Sequence, residues 1–342
     1  MQQFKLILSF FLLSFFPFGN IYSQNEINQL FQNDDILSLK LSYSNKDIQR
    51  KTNDSTYIET DLYYKDENDQ WLNFPVALRA RGNFRRNKCY FPPIKMKIKK
   101  SSSKETLFEG NKKLKLVLPC KLESDLNDNI IKEYLAYKIY EVVSPYHFKT
   151  KIVDIQFREI KGKKSKDHNL KGFLIQDDKR VAKYHEGKVF ERFIHPLAMD
   201  AETSIQNAMF QFMIGNTDFS VAYQHNGKLL YIDKKILPLP YDFDMSGLVN
   251  ASYSVANETL GIDRVTQRVY RGFKRDESEL NKIKNQFIDN KEKILGIISK
   301  HENLFDNEKE YKEAYTFIES FYNVIENEST FKSEIVNKAR TK

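Results

Sequence analysis

Three oxygen-rich segments fall close together in the second half of the chain: Gly215-Asn216-Thr217-Asp218, His225-Asn226, and Pro240-Tyr241-Asp242-Phe243-Asp244. Carboxylates and an amide recur here at the ends of expected elements, one set after a helix and one after a strand. Hard oxygen ligands of this kind suit Mg²⁺ or Mn²⁺, and such a site ordinarily brings a phosphorylated substrate with it. Asp242 makes the strongest demand, because a carboxylate following Leu237-Pro238-Leu239-Pro240-Tyr241 needs a charged partner or a metal. Earlier, Arg79-Ala80-Arg81-Gly82-Asn83-Phe84-Arg85-Arg86 sets four arginines around a glycine between two strands. Gly82 permits a tight backbone, and guanidinium forks suit phosphate or carboxylate. The plainer alternatives are a basic hairpin tip for the arginines, and turn chemistry for Asp-x-Asp and for Asn226 before Gly227.

Positioning such groups requires ordered elements on both sides of them. Residues 36–43, 56–64 and 74–80 alternate like half-buried strands. Residues 93–99 give the cleanest strand, with Ile94, Met96 and Ile98 on one face and Lys95, Lys97 and Lys99 on the other. Leu114, Leu116 and Leu118 repeat that pattern opposite Lys113 and Lys115. The period changes to helical from Asp125 to Val143, and Pro145 ends the run. A strand over 151–158, a polar Lys-rich connection over 161–169 and an apolar run Gly172 to Ile175 follow. The spacing then predicts a helix over 201–214, a hairpin over 229–232 and 236–241, and three helices over 276–299, 306–325 and 328–339. Strands first and helices later predict an α+β protein of two lobes, a strand-rich one over 25–175 and a mostly helical one over 176–342.

Composition narrows the function classes. A chain of 342 residues with 41% hydrophobic and 13% aromatic residues is not a disordered one. A net charge of +8 suits anionic partners. Nucleic acid is not among those expected, because the basic residues sit on alternating strand positions beside the cleft. No Gly-x-Ser-x-Gly or His-Glu-x-x-His spacing occurs, which argues against common hydrolases. Residues 1–24 read as a signal peptide: Lys5, an apolar run from Leu6 to Phe18, and a small residue, Ser23, for cleavage. The expected address is therefore secreted, periplasmic or cell-envelope, with no transmembrane segment in the mature chain. In that compartment Cys89 and Cys120 are expected to form a disulfide, the alternative being two buried thiols.

An Asp on a loop, an Asn a hairpin later, and Asp-Phe after an apolar strand is the order of catalytic groups in protein-kinase-like folds. The spacing differs, since Asp218 and Asn226 are eight residues apart where kinases use five. The chain resembles the CotH-type atypical kinases, in particular a secreted bacterial branch. The resemblance rests on Arg81-Gly82-Asn83, Pro92 to Lys97, Leu114-Lys115-Leu116, Gly172 to Ile175 and the three oxygen-rich segments, over about residues 75–250. It implies a bilobal protein-kinase-like fold and transfer of the ATP γ-phosphoryl, with Mg²⁺ or Mn²⁺, to a hydroxyl acceptor, protein being the leading class. Arg81, Gly82, Asn83 and either Lys95 or Lys97 would lie on the nucleotide phosphates, with Glu133 as the acidic partner of that lysine. Asp218 would orient or deprotonate the acceptor, and Asn226, Asp242 and Asp244 would hold the metal. The alternative is a non-catalytic envelope or surface binding protein on the same fold.

The leader makes the first test. Protein recovered from the native envelope or medium is expected to begin between Ser23 and Asn25 by N-terminal sequencing. A detergent-extracted form that retains Leu6 to Phe18 would show an anchor instead.

Overall fold

The computed structural model describes residues 28–82, 84–122 and 126–341. The expected leader (1–24), Asn83 and Asp125 lie outside the described residues. Seven strands come from the first half of the chain: β1 (Leu37–Tyr43), β2 (Ile58–Lys65), β3 (Trp71–Ala80), β4 (Ile94–Ile98), β5 (Lys113–Val117), β6 (Thr150–Lys161) and β7 (Lys164–Ile175). Short helices α1 (Asn45–Lys51) and α2 (Phe84–Lys88) interrupt them, and α3 (Leu126–Val143) separates β5 from β6. After them come α4 (Asp178–Tyr184), β8 (Lys188–Phe190), α5 (Ala201–Met213), β9 (Gly227–Ile232) and β10 (Lys235–Pro240). Four α-helices follow, α6 (Glu277–Asp289), α7 (Lys291–Lys300), α8 (Glu308–Ile325) and α9 (Glu328–Phe331), the last running on into a π-helical turn, Lys332–Val336.

The seven strands close into a barrel in the order β1-β2-β3-β4-β5-β7-β6. Closure is made by a parallel pairing of β1 with β6, in which Leu39 faces Ile155 and Leu41 faces Phe157. Alternation does the rest: Ile94, Met96 and Ile98 are buried inside the barrel while Lys95 and Lys97 lie on its outer wall. The fold is α+β, but the expected bilobal protein-kinase-like architecture is overturned by this closed barrel. The physical reason lies in β7. Its first half, Lys164 to Leu170, is mostly polar and exposed, and its inward positions are taken by His168 and Leu170 with charged or polar residues around them, so it reads as a connection. It is in fact half of a long hairpin paired with β6 from Lys161–Lys164 to Thr150–Ile175, which lets β6 and β7 bridge β1 to β5.

Part of the barrel wall is apolar on both faces. In the β5–β7 register Leu116 faces Leu174 toward the barrel interior, while the adjacent pair Val117–Phe173 points outward. Against that outer face packs α3, a helix buried nearly all round, whose buried charges Asp128, Lys132 and Glu133 interrupt an otherwise apolar surface. Thus α3, encoded within the strand-rich half, joins the second core with α5, α7 and α8. Gly172 is needed at this wall, because a Cβ there would lie 2.7 Å from the Val117 carbonyl.

The second sheet has the order β10-β9-β8. The expected hairpin is present, turning at Asp233 and Lys234, both with positive φ as a two-residue hairpin turn requires. Pro238 and Pro240 are tolerated because β10 is an edge strand. The helix expected over 276–299 breaks at Asn290, whose side-chain amide donates to the Gln286 carbonyl at 2.8 Å. No helix among the described residues is long and apolar enough to cross a membrane.

Cys89 and Cys120 are bridged. The bridge fastens the end of α2 to the segment after β5, where the Tyr90 amide also donates to the Cys120 carbonyl at 2.7 Å. Replacing both cysteines by serine is expected to lower stability by about 2–4 kcal/mol in urea denaturation. Unfolded, unreduced protein is expected to show no titratable thiol; two thiols would contradict the bridge.

Candidate functional site

The Asp218 loop is built from the end of α5. The helix starts on Asp200, whose side chain accepts the Thr203 amide at 3.0 Å, and stops at Gly215. Gly215 adopts a left-handed φ of 63°, and its amide bonds the Phe212 carbonyl at 3.1 Å while that of Asn216 bonds Gln211 at 2.8 Å. This paired closure needs glycine, and it throws Asn216 inward. Asn216 is buried, donates to Gln211 Oε1 at 2.9 Å, and accepts the Asp218 amide at 3.0 Å. Arg271 caps the flanking carbonyls of Thr217 and Phe219. The backbone of Asp218 is therefore held on both sides.

Its carboxylate is held too. His225 Nε2 lies 3.0 Å from Oδ1, and Asn226 Nδ2 donates to Oδ2 at 2.9 Å and to the Asp218 carbonyl at 2.7 Å. These contacts explain the eight-residue spacing. Ser220 and His225 exchange two backbone hydrogen bonds of 3.0 Å, so the extra residues form a small loop that returns Asn226 to Asp218. Asn226, expected on a metal, spends its amide nitrogen on orienting Asp218. Asp218 itself remains open to solvent at 43% exposure.

Gly227 and Pro240 are paired at one end of the β9–β10 hairpin, which brings Asp242 to the Asp218 loop. Asp242 has a φ of 67°, uncommon for a residue with a Cβ, and its amide donates to the Tyr137 hydroxyl of α3 at 2.9 Å. Its carboxylate meets Arg81 Nη2 at 3.5 Å. Phe243 turns into the second core against Tyr137 and Phe210. Asp244 then faces a buried cluster, accepting from the Tyr253 hydroxyl at 3.0 Å and lying 3.8 Å from Arg85 Nε.

Arg85 is the centre of that cluster. Its guanidinium is buried, donates to the Leu118 carbonyl at 2.5 Å, and stands 3.6 Å from Glu133 Oε2. Burial opposes its charge, but the Asp244 and Glu133 carboxylates beside it favour the protonated form. Burial pushes the Asp244 carboxyl up to about 6; Arg85 pulls it back, and Asp242 and Asp218 push the same way as burial. Glu133 is raised well above the usual carboxylate range by burial, against the pull of Arg85. The expected pairing of Glu133 with Lys95 or Lys97 is thus corrected: its basic partner is Arg85, one turn beyond the Arg81-Gly82 segment.

The basic side comes from the outer barrel wall. Arg81 leaves β3 with its amide on the Pro93 carbonyl at 2.8 Å, and Gly82 takes a left-handed φ of 77°. Lys95 stands in register between Arg79 and Lys115, and Lys97 Nζ lies 5.8 Å from the Tyr57 ring. The lysine turned into the site is one strand further on. Lys115 Nζ is buried without a hydrogen-bond partner, 4.4 Å from the Tyr241 ring centre and 4.7 Å from that of Phe148. Burial, with Arg81 nearby, lowers it to about 8. Reading the strands singly missed Lys115 and Arg85. The signal for Lys115 was present, since Lys113 and Lys115 alternate with leucines as Lys95 and Lys97 do with Ile and Met.

Among the described residues no three His, Cys, Asp or Glu side chains gather around one point as a metal cage. A Mg²⁺ that keeps its waters and substrate phosphates needs only one or two carboxylates. Asp242 and Asp244 fit that requirement, and Glu133 Oε1 beside them is a buried oxygen with no hydrogen-bond partner.

Arg85→Met is expected to lower stability by about 3–5 kcal/mol, because it strands buried carboxylates. The loss has a pH signature. Asp244 binds its proton more tightly folded than unfolded, so its ionisation disfavours the folded state as pH rises from about 4 through about 6. Without Arg85 that penalty grows, so denaturation at pH 8 should show a larger difference from wild type than at pH 5; equal losses would mean Arg85 acts by packing alone. No protein-family model matches this chain, and no curated protein matches it.

Proposed function

We propose that this cleft transfers the γ-phosphoryl of ATP to a hydroxyl acceptor, protein being the leading class, as the motif resemblance implies. The reading rests on site geometry and no longer on a kinase-like fold. The observation that carries it is the Arg81–Asp242 contact, which joins residues 161 apart and sets a phosphate-binding cation beside an oxygen cluster. Lys115, packed under Tyr241, adds a second cation with no protein partner to satisfy it.

In this reading Arg81 and Lys115 bind the phosphate oxygens and neutralise charge as the leaving group departs. Asp218 accepts the hydroxyl proton, with His225 and Asn226 fixing the orientation of its two oxygens. Its exposure lets a bulky acceptor reach it, whereas Asp244 is enclosed. Asp242 and Asp244 would hold Mg²⁺ or Mn²⁺, which when bound screens the phosphate charge. The Cys89–Cys120 bridge supports an address outside the cytoplasm, secreted or in the envelope.

Calorimetry with ATP and Mn²⁺, together with transfer from labelled ATP, tests the roles. Asp242→Asn and Lys115→Met are expected to weaken nucleotide binding and transfer together. Asp218→Asn is expected to bind nucleotide as wild type does while transfer falls by about 10²–10⁴-fold. If wild-type protein binds no nucleotide with either metal, phosphoryl transfer is refuted and the non-catalytic binding protein takes its place.

A further inference from the structure

Behind the candidate site lies a cavity of about 530 Å³, whose described lining includes His147, Lys149, Gln176, Lys183, Tyr184 and His185. One layer of chain separates the two. Phe148 covers Lys115 in the candidate site, while its neighbours His147 and Lys149 line the cavity. On β7 the same alternation holds: Ile175 lies opposite Lys115, and Gln176 turns to the cavity.

The lining has a definite chemistry. Lys149, Lys183 and Arg180 contribute cations, and no Asp or Glu occurs among the described lining residues. Arg180 already donates to the Gly110 carbonyl at 2.7 Å, and Lys149 shares Glu141 at 3.2 Å, so both are held in place. His147 is anchored, its Nδ1 bonding the Ser144 carbonyl at 2.6 Å, and burial pushes both imidazoles below their ordinary range, toward the neutral form. A neutral ring so anchored keeps its other nitrogen as an acceptor. Phe31, Tyr184 and His185 add flat faces, the last two 5.0 Å apart and at right angles. The volume is that of a small-molecule site, and a lining with three cations, ring faces and no carboxylate of its own among the described residues favours an anion over a cation.

We propose that this cavity is a second ligand site, for an organic anion with a flat ring and the size of a nucleoside monophosphate. It does not depend on phosphoryl transfer at the neighbouring cleft. The probe is AMP, titrated calorimetrically into the mature chain in EDTA, with adenosine and inorganic phosphate as comparisons. AMP is expected to bind more tightly than either fragment. Lys183→Glu is expected to weaken AMP by about tenfold or more, the effect of one charged contact, and Tyr184→Ala to weaken it several-fold. Lys115→Met and Asp242→Asn should leave AMP binding unchanged. The site is refuted if wild-type protein does not bind AMP at millimolar concentration. It is equally refuted if Lys115→Met removes binding that Lys183→Glu leaves intact, since AMP then occupies the neighbouring cleft. Phosphate binding as tightly as AMP would overturn the requirement for a ring.

Discussion

The buried guanidinium of Arg85 is the constraint around which this molecule is organised. It stands where three separate stretches of chain meet: the α2 turn that leaves the barrel, the helix α3 through Glu133, and the segment after β10 through Asp244. No one of these charges is tolerable there alone, because a buried ion without a partner costs several kcal/mol. Once Arg85 is in place, Glu133 orients α3 and Asp244 orients the oxygen-rich loop. The Cys89–Cys120 bridge and the Leu118 carbonyl keep α2 from withdrawing. The ion cluster thereby ties the barrel to the helical layer at a point where apolar packing has given way to polar contacts.

The barrel wall shows how that transition is made. Along β5 the outward-facing residue changes from Val117, packed in the second core, to Lys115 two positions earlier. The strand spacing is the same and only the side-chain chemistry differs. Val117 and Phe173 secure α3 by apolar burial, whereas Lys115 opens the wall into a cleft roofed by Tyr241 and Phe148. A single pleat thus supplies both the structural seam and the cation, and neither can shift register without moving the other.

Much of this was legible in the sequence, and the rest failed for definable reasons. Period-two alternation marked β1 to β6, because each has one face in the barrel core. It could not show closure, which depends on the β1–β6 pairing and on a β7 whose outer half is mostly polar and sends only His168 and Leu170 inward. The oxygen-rich segments were visible as chemistry, but their partners were not. Asn226 finds Asp218 through a loop closed by Ser220 and His225, and backbone bonds of that kind have no side-chain signature. For Glu133 the resemblance implied a basic partner. Strand pattern drew attention to Lys95 and Lys97, while Arg85 lay in a turn with no periodicity to mark it.

Arg81 and Arg85 are four residues apart and do opposite jobs. Arg85 is enclosed, with two acids and a carbonyl around it, so exchanging any partner would strand a buried charge. Arg81 meets Asp242 at 3.5 Å on a rim where Asp242 keeps 24% of its exposure. A contact that long is a weak hydrogen bond, so little directional energy holds Arg81 to Asp242. An arginine fork on a phosphate makes shorter, charge-assisted bonds. Under the proposed phosphoryl transfer, an incoming phosphate would take Arg81 from Asp242 and free that carboxylate, while Arg85 stays fixed and keeps Asp244 in position. The division follows from their partners, since the two side chains are chemically identical: Arg85 faces two buried acids and a carbonyl, and Arg81 meets Asp242 at the longer edge of hydrogen-bonding distance.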